Sequence, residues 1–137
     1  MTDIARDVVI VGASAIGLTA ANALRMAGLS VAVLEANDRV GDESSELPHL
    51  LAERLGQDVL LNHRVQSMHW SQVPSVTATA QEVTVHARFA IMADDGADAI
   101  EFEPSLSRSA AGTPIHFASS DDTARTAAAA IVETIRS

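Results

Sequence analysis

Cysteine, lysine and tyrosine are all absent from this 137-residue chain. Without cysteine there is no disulfide, no thiolate nucleophile and no Cys-ligated zinc or iron–sulfur cluster. Without lysine there is no Schiff-base amine and no P-loop ammonium, and all nine cations are arginine. Positive charge is scarce overall, with a formal net charge of −9. That balance excludes a general nucleic-acid binder, which needs a basic face to displace counterions, and disfavours an anionic membrane surface. No apolar run approaches the roughly 20 residues of a spanning helix. The first residues carry no basic stretch leading into an apolar one, so no secretory signal is expected and the expected location is cytoplasmic.

Apolar residues are plentiful, at 47% of the chain, enough for one compact domain spanning residues 1–137. Asp7-Val8-Val9-Ile10-Val11 is a nearly continuous apolar run ending at Gly12. Such a run predicts a strand buried on both faces, as in a parallel sheet. Ser14 is placed to cap a helix over Ala15 to Ala27, with Gly28 as its stop. Val31 to Leu34 predicts a second buried strand, closed by Glu35. Together these form a right-handed βαβ unit of about 30 residues.

Further on, Glu46 to Leu55 predicts a helix and Val59-Leu60-Leu61 a third strand. Residues 65–87 alternate in polarity and predict an antiparallel meander. Phe89 to Ala93 and Pro114 to Ala118 predict two more core strands, with turn-rich chain between them. Asp121 or Asp122 is placed to cap a final helix reaching about Ile135. The predicted fold is a three-layer α/β domain. A Rossmann-like parallel sheet has helices on one face and the β-meander, inserted as a crossover, on the other.

The turn Gly12-Ala13-Ser14-Ala15-Ile16-Gly17 follows a strand and opens a helix, as a dinucleotide-binding turn must. Gly12 permits the tight turn and Gly17 the close packing of helix on strand. Backbone N–H groups and the positive helix end between them face a pyrophosphate. The middle position, normally glycine so that phosphate can approach the backbone, is Ser14. Its hydroxyl can bond phosphate or cap the helix, and weakened binding is expected. Glu35 lies at the distance expected of the acid that accepts both ribose hydroxyls, about 20 residues on, and it would repel a 2′-phosphate. The alternative is a Rossmann-like core whose turn glycines serve the fold alone.

Asp7 to Gly12, read with Val33-Leu34-Glu35-Ala36-Asn37-Asp38-Arg39-Val40-Gly41, resembles the N-terminus of the flavin-dependent amine oxidases. That family belongs to the larger FAD-binding group shared with glutathione reductase-like enzymes. Leu51 to Gly56 with Val59 to Val65 resembles the family's strand leading to an adenine contact. Ile115 to Asp121 resembles its C-terminal flavin segment, usually Phe-Ala-Gly-Thr-Glu. The resemblance implies FAD as cofactor, extended across the sheet. It implies that Gly12, Ala13, Ser14, Ala15, Ile16 and Gly17 hold the pyrophosphate and Glu35 the adenosine ribose. It places Ala36, Asn37, Val40, Gly41 and Asp42 in the cofactor-contacting stretch that follows. It also implies adenine at the Val65 backbone, adenosine near Ala93, and the ribityl chain near Ser120 and Asp121.

The chain departs from the family in several places. Where the family runs Arg-Val-Gly-Gly-Arg-Thr, this chain runs Arg39-Val40-Gly41-Asp42-Glu43-Ser44, so acids replace an arginine expected at pyrophosphate. Asn37 replaces another arginine. The substrate-domain insertion expected after Ser45 is missing, and a second shortening falls between Glu103 and Gly112. Trp70 and three Phe cannot build an aromatic cage for an amine. The expectation is a minimised FAD-binding domain of engineered origin, binding FAD non-covalently without native substrate oxidation. A natural degenerate fragment is the alternative origin. Residual oxidoreductase or oxidase activity and a cofactor-free scaffold are the alternative functions. The exposed flavin-side surface leaves both a monomer and a homodimer open.

The five histidines (His49, His63, His69, His86 and His116) are scattered, so no metal site is expected. Asp94-Asp95 and Asp121-Asp122 read as a solvated turn and a helix cap. Ser119-Ser120 suits either a ligand contact or ordinary capping. No Ser-His-Asp set is assignable from order and spacing, so no catalytic residue is named.

Overall fold

A computed structural model of the chain describes residues 2–37, 40, 47–71, 75–80, 82–93, 100–103 and 114–136. The apolar run after Asp7 forms β2 (Val8–Val11), which follows a short N-terminal strand, β1 (Thr2–Ala5). Every residue of β2 is buried, because the strand lies between two layers. The twofold alternation of a strand divides it: Val8 and Ile10 join one apolar cluster, Val9 and Val11 the other. β3 (Val31–Leu34) divides in the same way.

The parallel sheet also contains β4 (Val59–Leu60), β8 (Phe89–Met92) and β10 (Ile115–Phe117), in the order β10-β8-β2-β3-β4. All four of its strand pairings are parallel, with Val8 opposite Val31 on one side and Phe89 on the other. Three helices, α1 (Ala15–Met26), α2 (Leu47–Leu55) and α3 (Asp121–Arg136), follow β2, β3 and β10 in the chain. Leu18, Ala21 and Leu24 of α1 and Ala124, Ala128 and Ile131 of α3 pack on the Val8/Ile10 face. Small alanine side chains let these two helices lie close together. Asn22 ties α1 to α2, donating from Nδ2 to the Leu51 carbonyl at 3.2 Å.

The other face is covered by β5 (Ser67–Ser71), β6 (Ser75–Ala80) and β7 (Val83–Ala87). Met68, Val76, Ala78 and Val85 bury against Val9, Val11, Leu34 and Met92. The expected three-layer arrangement, helices on one face and meander on the other, is the observed one.

Two strands were not expected. β1 pairs in parallel with β7, and β9 (Glu101–Glu103) pairs in parallel with β5, so the second sheet has five strands in the order β1-β7-β6-β5-β9. Both additions are edge strands of three or four residues with mostly exposed side chains. β1 lacks the apolar alternation that announces a strand, β9 shows it only over Ile100 to Glu103, and their partners lie far along the chain. The cap of α3 is also corrected. Ser120 accepts the Thr123 amide at 3.2 Å, and Thr123 Oγ1 accepts the Ser120 amide at 2.8 Å. This reciprocal pair takes the capping role expected of Asp121 or Asp122.

Arg25, in the last turn of α1, donates to Asp58 Oδ2 at 2.7 Å and clamps that helix to the turn before β4. Arg25 is exposed at 43% and Asp58 half-buried at 24%, so both reach solvent. Asp58→Ala is therefore expected to cost no more than about 1 kcal/mol, and less in high salt. Urea midpoints at low and high ionic strength check this.

Candidate functional site

The C-terminal ends of β2, β3 and β8 lead directly into Gly12 to Gly17, Glu35 to Asn37 and Ala93. Gly12 leaves β2 with φ 107°, a conformation that a side chain rarely tolerates. That turn carries the chain directly into α1. Gly17 lies against it so closely that a Cβ there would fall 2.0 Å from the Gly12 carbonyl oxygen. The first turn of the helix is thereby held over the strand end.

Glu35 is the buried charged side chain of this edge, only 7% exposed. Its two oxygens have separate tasks. Oε1 accepts the Ala13 amide at 2.8 Å, and Oε2 accepts the Asn37 amide at 2.8 Å. The carboxylate thus brackets the phosphate turn and the loop after β3. A carboxylate has about four lone-pair directions, so two bonds leave room for ribose hydroxyl donors.

The helix end is only partly satisfied. Ser14 Oγ accepts the Gly17 amide at 3.3 Å and donates to the Ala93 carbonyl at 3.3 Å. The amides of Ser14, Ala15 and Ile16 have no acceptor among the described residues. Unpaired N–H groups at a helix start are the usual partners of phosphate oxygens. The free amides, the close Gly12–Gly17 approach and the buried acid fit an extended dinucleotide.

The remaining named residues are placed as follows. Ala36 is half-buried and Asn37 exposed, in the loop bracketed by Glu35. Val40 is buried against the helix-side core. Val65 buries its side chain in the meander-side core. It follows a segment tied to that same loop, through Asn62 N–H to the Asn37 carbonyl at 2.8 Å and His63 N–H to the Glu35 carbonyl at 2.7 Å. Ala93 sits at the phosphate turn itself, donating its amide to the Val11 carbonyl at 2.9 Å and accepting from Ser14. Ser120 is exposed, and its hydroxyl is engaged in the α3 cap. Asp121 is the first residue of α3. Gly41 and Asp42 lie outside the described residues, as do Glu43 and Asp94-Asp95.

Sequence reasoning missed the link between Ser14 and Ala93. The serine is visible in the turn, but its acceptor is 79 positions away. It also missed the dual bonding of Glu35, because the ribose role explained the acid without it.

Among the described residues no group of His, Asp or Glu could hold a metal ion. His116 lies on β10 beside Phe89, with ring centroids 6.3 Å apart. Burial pushes its pKa below the ordinary imidazole value. As pH falls, the unfolded chain takes up this proton first. Stability should therefore drop from the ordinary imidazole pKa downward, until the folded protein also protonates. His116→Phe is expected to lose that part of the acid sensitivity, read as a smaller change in urea midpoint between about pH 7.5 and pH 5.5.

A family model described as pyridine nucleotide-disulphide oxidoreductase matches residues 7–88, more than half of the chain. The chain belongs to this family. A putrescine oxidase from Kocuria rosea is 65% identical over 40 residues, covering 29% of this chain and 8% of that protein. The structure of putrescine oxidase bound to putrescine superposes with a TM-score of 0.70 at 18% identity, covering 77% of this chain and 62% of that one. An oxidised steroid monooxygenase bound to NADP gives 0.57 at 24% identity, covering 66% and 26%. The chain thus spans less than two thirds of each relative. These matches agree with the resemblance read from the turn and from Glu35. The chain carries an FAD-binding domain of the amine-oxidase-like kind, and its cofactor is FAD. Among the described residues no helix is long and apolar enough to cross a membrane.

Proposed function

We propose that this chain is a minimal FAD-holding module, derived by removal of a substrate domain from an amine-oxidase-like flavoenzyme and most simply by design. It binds the cofactor non-covalently and has no native amine oxidation. The observation that carries the reading is the bracket made by Glu35. One carboxylate holds the Ala13 amide and the Asn37 amide at 2.8 Å each, beside three free amides at the helix start. That arrangement supports a ribose at the acceptor and a diphosphate at the donors.

In this reading the amides of Ser14, Ala15 and Ile16 bind phosphate oxygens, aided by the positive end of α1. Glu35 accepts ribose hydroxyls and repels a 2′-phosphate, which favours FAD over NADP. Bound flavin supplies electron transfer of its own, and the protein's part is binding and orientation. The absence of tyrosine and the scarcity of other aromatics leave no cage for an amine. The direct passage from Ser45 into the α2 region supports a removed insertion. With such a covering domain gone, a second copy of the chain is a suitable cover for the flavin end.

The test is a visible spectrum of the purified protein before and after FAD addition and desalting. Flavin colour that survives desalting and is released by denaturant is expected. Colourless protein whose melting temperature does not rise with added FAD would sink the reading, because a ligand that prefers the folded state must stabilise it. Peroxide formation that depends on an amine and exceeds a free-FAD control would overturn the claim of no native oxidation. A monomer-sized elution volume in the presence of FAD would remove the dimer.

A further inference from the structure

The free protein already occupies part of its own phosphate turn. The Gly17 amide is capped by Ser14 Oγ at 3.3 Å, and the one hydroxyl proton of Ser14 is committed to the Ala93 carbonyl at 3.3 Å. The first is longer than the usual 2.7–3.2 Å of an N–H···O bond and the second longer than the usual 2.5–3.0 Å of an O–H···O bond, so exchanging them for better partners costs little. A phosphate oxygen is a better partner, because charge-assisted hydrogen bonds are roughly twice as strong as neutral ones.

We propose that Ser14 sets the affinity of this site: its hydroxyl caps α1 in the free protein and competes with the diphosphate of FAD for the Gly17 amide. The inference rests on the FAD reading above and adds the residue that limits it. Two observations make Ser14 the movable part. Gly17 sits hard against the Gly12 backbone, where a Cβ would fall 2.0 Å from the carbonyl oxygen, so the helix start has no room to shift toward β2. Ser14 itself has φ −76° and ψ 172°, an extended backbone open to any residue, so only its side chain need change. The same angles mean that alanine and glycine fit there without backbone strain.

The experiment compares wild type, Ser14→Ala and Ser14→Gly. FAD and ADP-ribose dissociation constants are read by equilibrium dialysis, and stability of the ligand-free proteins by urea unfolding. Ser14→Ala is expected to bind both ligands about fivefold more tightly, equivalent to about 1 kcal/mol, while its ligand-free form unfolds at lower urea. Ser14→Gly is expected to bind at least as tightly as Ser14→Ala, with a midpoint near wild type, because glycine is itself a good N-cap. Should Ser14→Ala not fold, Ser14→Gly decides.

Tighter binding by the variants, including binding where wild type shows none, upholds the competition. Equal or weaker binding by both variants, with wild type still binding, overturns it and leaves the FAD reading intact. Failure of wild type and both variants to bind either ligand removes both.

Discussion

Gly17→Ala is expected to lower stability by about 3 kcal/mol, the upper range for a side chain forced into filled space. The added methyl would lie 2.0 Å from the Gly12 carbonyl oxygen and 3.2 Å from the Ala93 Cβ. The first contact is with backbone at a turn whose φ of 107° leaves it little freedom, so α1 must lift from β2. Lifting it also withdraws the helix-start amides from the site. Urea unfolding gives the stability change, and FAD binding should fall in the same variant. Gly56→Ala separates crowding from backbone strain. A Cβ there would meet nothing within 4 Å, but the residue has φ +58°. It should cost only about 1 kcal/mol, the price of a left-handed residue, and leave FAD binding unchanged. If Gly17→Ala were as mild as Gly56→Ala, the close approach would not be what holds the turn.

Glu35→Gln is the second large expected effect. Both carboxylate oxygens face N–H donors, those of Ala13 and Asn37. An amide has one oxygen and one NH2, so in either orientation a donor meets a donor. The loss is expected to be about 1–3 kcal/mol, the cost of leaving a buried donor unsatisfied. Binding of FAD should weaken about tenfold or more, because a hydrogen bond to a charged acceptor contributes about 1.5–3 kcal/mol. Glu35→Asp should retain the charge but not the span between the two loops, and should recover little stability. A Glu35→Gln protein with an unchanged urea midpoint would mean that the bracket does not hold the two loops together. Together the two substitutions ask different questions of one site, Gly17 of its shape and Glu35 of its charge.

The core strands and helices were legible because their signals are local. Continuous apolar runs marked β2, β3 and β8, and the 3.6-residue period marked α1 and α3. The buried face of α1 was only roughly placed. Helical spacing puts Ile16, Ala20, Ala23, Leu24 and Ala27 on one face, whereas the structure buries Ala20 and Leu24 together with Leu18 and Ala21. The alanine-rich sequence explains this, since small apolar residues on most of the surface leave no sharp boundary. β1 and β9 were illegible because each is an edge strand of three or four residues with few buried side chains, too short for its alternation to stand out.

By itself the chain's residue order determined that a strand, a glycine turn, a helix, a second strand and an acid follow one another as a dinucleotide-binding unit. Each of those features depends on neighbours within about 30 residues. Tertiary structure alone decided that Glu35 binds the Ala13 amide, that Ser14 reaches across to Ala93 and that the terminal strand joins β7. These contacts link residues 22, 79 and about 80 positions apart. No local periodicity encodes such pairings. They are set when the layers close and buried polar groups must find partners.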